Sequence, residues 1–238
     1  MKNIFRISGI ILLIFLIQSC KMKENNEPKI EHGSVIDYDG NTYNTAKIGT
    51  QWWMTENLKV IHYRDGSAIE NITDSSAWAY LTTGTYCWYN NNEATYKANY
   101  GALYNWYTVV DNRNLCPSGW HVPSNDEWVI LGDYLGGSLG AEQKMATGEI
   151  GFQPVLGGWR GYVCFSVPPC LIFEYLSKRG FWWSSTEKVI YLDPLTVDKS
   201  EALCVDLIIL PNYAAFEYGE TGPSSKSMGF SVRCLKDN

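Results

Sequence analysis

His121 lies between Trp120 and Val122, just ahead of Asp126 and Glu127. An imidazole beside a carboxylate can serve as a general base, taking a proton from a bound nucleophile. The two carboxylates have a simpler use here. Ser124 is placed to cap a helix, and Glu127, three residues on, closes a capping box. Asp126 and Glu127 also suit the positive end of the helix dipole. His121 therefore reads as a structural histidine. His32 falls in a polar linker and His62 in a loop without a motif. Asp65-Gly66-Ser67 and the run from Asp193 to Asp198 offer oxygen ligands, but a calcium site needs about six to eight oxygens and no DxDxDG-like run is present. Turn chemistry accounts for both clusters. No CxxC pair and no His/Cys cluster occurs, so zinc is not expected. Neither metal nor cofactor is implied.

Aromatic rings are the remaining chemistry. The chain has ten Trp and sixteen Tyr, and 14% of its residues are aromatic against 18% charged. Most of these rings must fill a core. In the doublets Trp52-Trp53 and Trp182-Trp183, strand alternation sends one ring inward and the other outward. One exposed ring of each doublet, with Trp53, Trp182 and Trp183 as the named candidates, is expected on a binding surface. Trp159 and Arg160, in a glycine-rich stretch from Gly148 to Gly161, complete the expected ligand-binding set.

The elements that must hold these residues can be read along the chain. Asp39-Gly40 marks a hairpin turn, because glycine supplies positive φ without strain, and a second turn follows at Ile48-Gly49-Thr50. Ile61 to Asn99 reads as loops with short strands, among them Tyr86 to Tyr89, ended by Asn90-Asn91-Asn92. Tyr100 to Val110 carries Leu103, Trp106, Tyr107 and Val110 at helical spacing and is expected to form one helix. The next helix starts at the Ser124 cap, aligns Trp128, Leu131 and Leu135, and stops at Gly136-Gly137. Phe181 to Glu187 reads as a strand running into a turn. Ala202 to Leu210 and Gly229 to Leu235 read as strands, with Phe230, Val232 and Cys234 on one face of the last and Ser231, Arg233 and Leu235 on the other. The pattern is that of an irregular α+β fold.

The first 20 residues stand apart. Lys2 and Arg6 precede an apolar run from Ile10 to Ile17 that is too short for a permanent span, which needs about 20 residues. An export signal, residues 1–20, fits. Cys20 directly after Ser19 resembles a bacterial lipobox, which implies cleavage before Cys20 and its acylation. Acyl chains then tether the protein, each buried CH₂ contributing about 0.8 kcal/mol. Residues 21–34 are polar and read as a flexible linker, and Lys23-Glu24 resembles surface-export signals of Bacteroidetes lipoproteins. Residues 35–238 form the remaining single domain. Net charge is −6 without a basic block, which argues against nucleic acid. Apart from Cys20 there remain Cys87, Cys116, Cys164, Cys170, Cys204 and Cys234, an even number that an oxidising compartment can pair in several ways. Cys164 with Cys170 is sterically possible as a short loop.

The ordered blocks IGTQWWMTENL, YCWYNN, YGALYNWYTVV, LCPSGWHVPSNDEW, FWWSSTE and GFSVRC resemble the Fibrobacter succinogenes major paralogous domain family. The resemblance covers Val35 to Asp237 and implies a C-type-lectin-like fold, grouped with formylglycine-generating-enzyme domains. It implies adjacent N- and C-terminal strands and a long disulfide, a role that falls to Cys116 and Cys234. The Glu-Pro-Asn, Gln-Pro-Asp and Trp-Asn-Asp motifs of calcium-dependent lectins are missing, and a reactive cysteine pair near the chain end has only Cys204 and Cys234 to draw on. The expectation is a non-catalytic lipoprotein of the outer membrane, on its cell-surface or periplasmic face. It would bind extracellular glycan or protein and touch the membrane only through its anchor. A structural subunit of an envelope or pilus-like assembly is the alternative, and a formylglycine-generating-type oxidase the third.

Overall fold

Asp37 to Asn41 turn the chain between β1 (His32–Ile36) and β2 (Thr42–Ile48), with Gly40 at φ 79°. This is the hairpin that Asp39-Gly40 announces. A second tight turn at Gly49, φ 60°, leads into β3 (Gln51–Met54). The structure, a computed structural model, describes residues 30–148, 150–164, 170–191, 197–210, 213–218 and 223–238. The export segment, Cys20 and Asp193 lie outside the described residues. No described helix is long and apolar enough to cross a membrane.

Short elements follow: β4 (Glu70–Asn71), α1 (Ser75–Ala79), β5 (Thr85–Cys87), α2 (Glu93–Tyr100), β6 (Leu103–Tyr104), α3 (Trp106–Val109) and β7 (Trp120–His121). The single helix expected over Tyr100 to Val110 is thus a helix end, a strand and a new helical turn. Gly101 breaks it at φ 73°, where an added Cβ would sit 2.7 Å from the Leu58 carbonyl oxygen. Asn105 then caps α3, accepting from the Thr108 N–H at 3.1 Å. Helical spacing misled because Leu103 is buried by a strand and Trp106 by a helix.

The capping box at α4 (Asn125–Tyr134) forms as expected: Ser124 Oγ accepts from Glu127 N, and Glu127 Oε2 accepts from Ser124 N at 2.8 Å. Trp128, Leu131 and Leu135 are all fully buried. Gly136, φ 102°, ends the helix, but α5 (Gly137–Thr147) begins at once. Then come β8 (Trp159–Cys164), β9 (Cys170–Glu174), β10 (Arg179–Tyr191), β11 (Val197–Leu210), β12 (Tyr213–Glu217), β13 (Pro223–Ser225) and β14 (Leu235–Lys236). The strand from Phe181 does not turn at Glu187. It bulges between Trp183 and Glu187 and runs on to Tyr191, because Ser185 N donates to Pro123 O and Thr186 Oγ1 accepts from Asn125 N at the start of α4. Strand and helix mixture makes the fold α+β. One sheet runs β1-β2-β3-β14-β7; another runs β10-β11-β12 with β13 beside β11.

The stretch Gly229 to Leu235 lies between two large apolar clusters. Phe230, Val232 and Cys234 enter one, with Tyr43, Met54, Tyr104 and Trp183. Leu235 enters the other, with Trp53, Trp128, Phe152, Trp182 and Phe216. Its backbone is laddered to four separate segments: Gly229 to Arg160, Phe230 to Tyr104, Ser231 to Phe181 and Trp183, and Val232 to Leu58. Cys116 and Cys234 form a disulfide across 118 residues of sequence. Cys164 and Cys170 face each other in the register of β8 and β9. Replacing Cys116 or Cys234 by Ser is expected to lower the unfolding free energy by about 2–5 kcal/mol. Urea denaturation of the oxidised protein measures this, and an unchanged midpoint and slope would contradict it.

Candidate functional site

The tryptophan doublets alternate as a strand requires, yet they expose no binding ring. Trp182 and Trp183 are both 0% exposed because each face of β10 carries its own core. Trp182 Nε1 donates to Asn57 Oδ1 at 2.8 Å and Trp183 Nε1 to Tyr104 O at 2.8 Å. Trp53 is equally buried against Trp128, ring centroids 4.6 Å apart, while Trp52 is half-buried. Arg160 is buried too: its guanidinium stacks on Trp78 and donates to the carbonyls of Ile72 and Thr73 at 2.7 and 2.8 Å. It fixes the loop ahead of α1 and offers nothing to a ligand. The expectation that Trp53, Trp182, Trp183 and Arg160 lie on a surface is corrected by this second covering layer. Trp159, like Trp52, stays partly exposed; it is stacked on Tyr175 at an interplanar angle of 14°. It stands beside Phe181, on which the Arg179 guanidinium packs while pairing with Asp206.

A different face carries relief. Three depressions share walls along the loop Asp111–Leu115. One, about 480 Å³, is lined by Tyr63, Glu70, Thr82, Thr83, Tyr107 and Arg113 among others. It shares Asp111 with a neighbour of about 360 Å³ that reaches Val110 and His121. That one shares Arg64, Leu115 and Cys116 with a third, about 250 Å³, beneath Ile36 and Tyr38. A broader depression of about 580 Å³ lies over α2, but its charged walls are the exposed pair Glu93–Lys97 and Lys59. Asn41, also in its lining, is held by Asp37 through its backbone N and Nδ2 at 2.9 and 2.8 Å.

Local chemistry builds the Asp111 loop. Asp111 Oδ1 accepts from Arg113 N at 3.0 Å, an Asx-type turn. Asn114 then takes φ 61°. The Arg113 guanidinium clasps the same carboxylate with Nε at 2.8 Å and Nη2 at 2.7 Å, and lies 4.0 Å above the Tyr63 ring. The hydrogen bonds from Arg113 hold Asp111 below the usual carboxylate pKa. Arg64 braces the loop from below, donating to the carbonyls of Cys116, Pro117 and Trp120. Gly84 closes on the Tyr63 hydroxyl so tightly that a Cβ there would lie 2.1 Å from it. Burial, with the Asp111 charge adding to it, pushes the pKa of that hydroxyl up to about 12. None of these residues stands in a recognisable motif. The only sequence signal is the turn-forming Asp-Asn-Arg-Asn, and Tyr63 and Gly84 fall within a stretch that reads as plain loop.

His121 links two carboxylates. Its Nδ1 meets Asp237 Oδ1 at 2.6 Å and its Nε2 meets Glu127 Oε1 at 2.9 Å, tying the chain end to the capping box. Partial burial disfavours the charged ring, but the two carboxylates outweigh it and raise the pKa above the usual 6.5. Cys87 and Cys204 are buried thiols, pushed by burial to about 11 and about 12, so they stay protonated at neutral pH. Among the described residues no group of three His, Cys, Asp or Glu side chains could hold a metal. Because His121 has its pKa raised on folding, its stabilising contribution is complete below the unfolded value near 6.5 and is lost as pH rises through the folded value. The side chain is 38% exposed, so the effect is screened and small. Unfolding free energies from about pH 6 to 9 should fall less steeply for His121→Asn than for the parent; identical slopes would contradict the bridge.

Comparison with known proteins places this architecture. The description "Fibrobacter succinogenes major domain" matches residues 46–236, from the second strand to the last. The searches of curated proteins and of solved structures gave no significant match. The matched stretch includes both cores, the disulfide and the Asp111 loop, and the chain belongs to the Fibrobacter succinogenes major domain family.

Proposed function

We propose that this protein is a non-catalytic binding module, held at the outer membrane by lipid on Cys20, whose ligand is an extracellular glycan or protein. The observation that carries the reading is the run of open, contiguous depressions along Asp111–Leu115, walled by pre-positioned polar groups rather than by a reactive cluster. Sites of this kind bind by many modest contacts on a rigid frame. The frame is read as C-type-lectin-like. Support comes from the closing strand β14, paired with β3 in the sheet that begins with β1 and β2, and from the long disulfide that ties Cys116 to Cys234.

A structural subunit of an envelope or pilus-like assembly is the second reading. Its support is the outer end of the β10–β11 arm, where Tyr191 and Val197 are 76% and 44% exposed. Exposed apolar side chains on an extended arm suit docking to a partner. The oxidase reading is the weakest, since Cys234 is engaged with Cys116 and the thiols of Cys87 and Cys204 are buried.

The full mature chain in detergent should bind a glycan on an array or decorate whole cells of a neighbouring species. Recovery in stoichiometric complex with an envelope protein, with no array or cell binding, would instead favour assembly. The anchor has its own measurement: Cys20→Ser should abolish incorporation of labelled fatty acid and release the protein from the membrane fraction. Unchanged labelling would contradict the anchor.

A further inference from the structure

We propose that the cleft between Tyr63, Tyr107, Asp111 and Arg113 is a subsite for one uncharged sugar residue, read through a vicinal pair of hydroxyl groups. The inference rests on the binding-module reading and names the ligand class for one part of its surface.

Charge decides first. Asp111 and Arg113 neutralise each other in a bidentate pair, and Glu70 stands exposed on the same wall. An anionic ligand would have to compete with the Asp111 carboxylate for the guanidinium and would meet Glu70. A cation would meet Arg113. A neutral ligand faces neither cost.

Hydrogen-bonding capacity decides next. A guanidinium has five N–H donors. Arg113 directs two at Asp111 and one, from Nη1 at 3.2 Å, at Ser67 Oγ, which leaves one N–H on each terminal nitrogen. Asp111 Oδ2 accepts from Arg113 Nη2 and, as a carboxylate oxygen, has a second lone pair. A free donor thus lies beside a free acceptor on one planar fork. Adjacent sugar hydroxyls, each able to donate and accept, complement such a fork. Thr82 and Thr83, both exposed, add hydroxyl-bearing side chains to the same lining.

Shape and rigidity agree. The volume, about 480 Å³, suits a single small ligand. Tyr107 is half-buried in the lining and presents aromatic surface to the apolar C–H face of a pyranose. The Asx-type turn and the Tyr63 ring beneath the guanidinium hold the fork before any ligand arrives, which lowers the entropy cost of binding.

The test uses the mature chain and, as probes, the methyl glycosides of glucose, galactose and mannose, with methyl glucuronide as the anionic comparison. Ligand-observed NMR reads binding. Two variants separate the cleft from the fold: Arg113→Lys removes the fork, and Thr83→Trp fills the cleft from an exposed position without touching the pair. At least one neutral glycoside should bind at millimolar concentration, more tightly than the glucuronide, and each variant should weaken it about tenfold or more. Failure of all three neutral glycosides to bind overturns the subsite, as does tighter binding of the glucuronide. Undiminished binding in both variants overturns it too, while leaving the binding-module reading intact. If the chain also binds no glycan array and no cells, both fail together.

Discussion

The closing stretch Gly229 to Leu235 is the constraint on which the molecule rests. An extended segment has two faces, and here both are covered. Val232 and Cys234 fill one core while Leu235 fills the other. The polar members of the segment are absorbed as well. Arg233 is fully buried, its guanidinium 3.9 Å from the Phe152 ring and its Nε donating to Asn57 Oδ1 at 3.2 Å. A buried charge without a carboxylate partner is costly unless carbonyls and aromatic faces surround it. Asn57 gathers that cost into one node. It accepts from Arg233 and Trp182 and donates to Tyr100 O, Val155 O and Ser231 Oγ. Loops from across the sequence therefore meet at a single amide. Removing it strands several buried groups at once.

This arrangement explains why the Asp111 cleft lies where it does. The disulfide joins Cys234 of the closing stretch to Cys116, and the loop Asp111–Leu115 leads directly into Cys116. Arg64 clasps the carbonyls on the far side of the bridge. The loop is thus anchored at its base by a covalent bond and a three-carbonyl clamp, while its crown stays open. Irregular loops on a rigid frame are where recognition is placed in folds of this kind. Most of the tryptophans are spent on the frame.

How much of this could be read from residues alone depended on range. The Asp39-Gly40 hairpin and the Ser124–Glu127 capping box were legible because their determinants lie within a few residues of each other. The alternation of faces along Gly229 to Leu235 was legible too and held. The stretch is not the continuous strand expected, however: Gly229 to Ser231 pair through isolated bridges and regular strand begins only at Leu235. What failed was the step from alternation to exposure: at Trp182-Trp183 nothing local says that a second core covers the other face. Tyr100 to Val110 failed for a related reason. Its apolar spacing was real, but Gly101 must approach the Leu58 carbonyl, and that contact is tertiary. The Asp111 cleft was the least visible part. Its turn is local, whereas the ring under Arg113 and the glycine that admits the Tyr63 hydroxyl come from distant loops.

Amide hydrogen exchange of the oxidised protein tests the central claim most directly. The amides of Leu58, Tyr104 and Trp183, which bond to Val232, Phe230 and Ser231, report on the closing stretch, and the β10–β11 ladder at Gly180 and Leu207 reports on the second sheet. If the closing stretch holds both cores, these amides exchange with one common free energy, that of global unfolding. Faster exchange at Leu58, Tyr104 and Trp183 while the β10–β11 amides stay protected would show that the stretch opens alone, and would contradict the account.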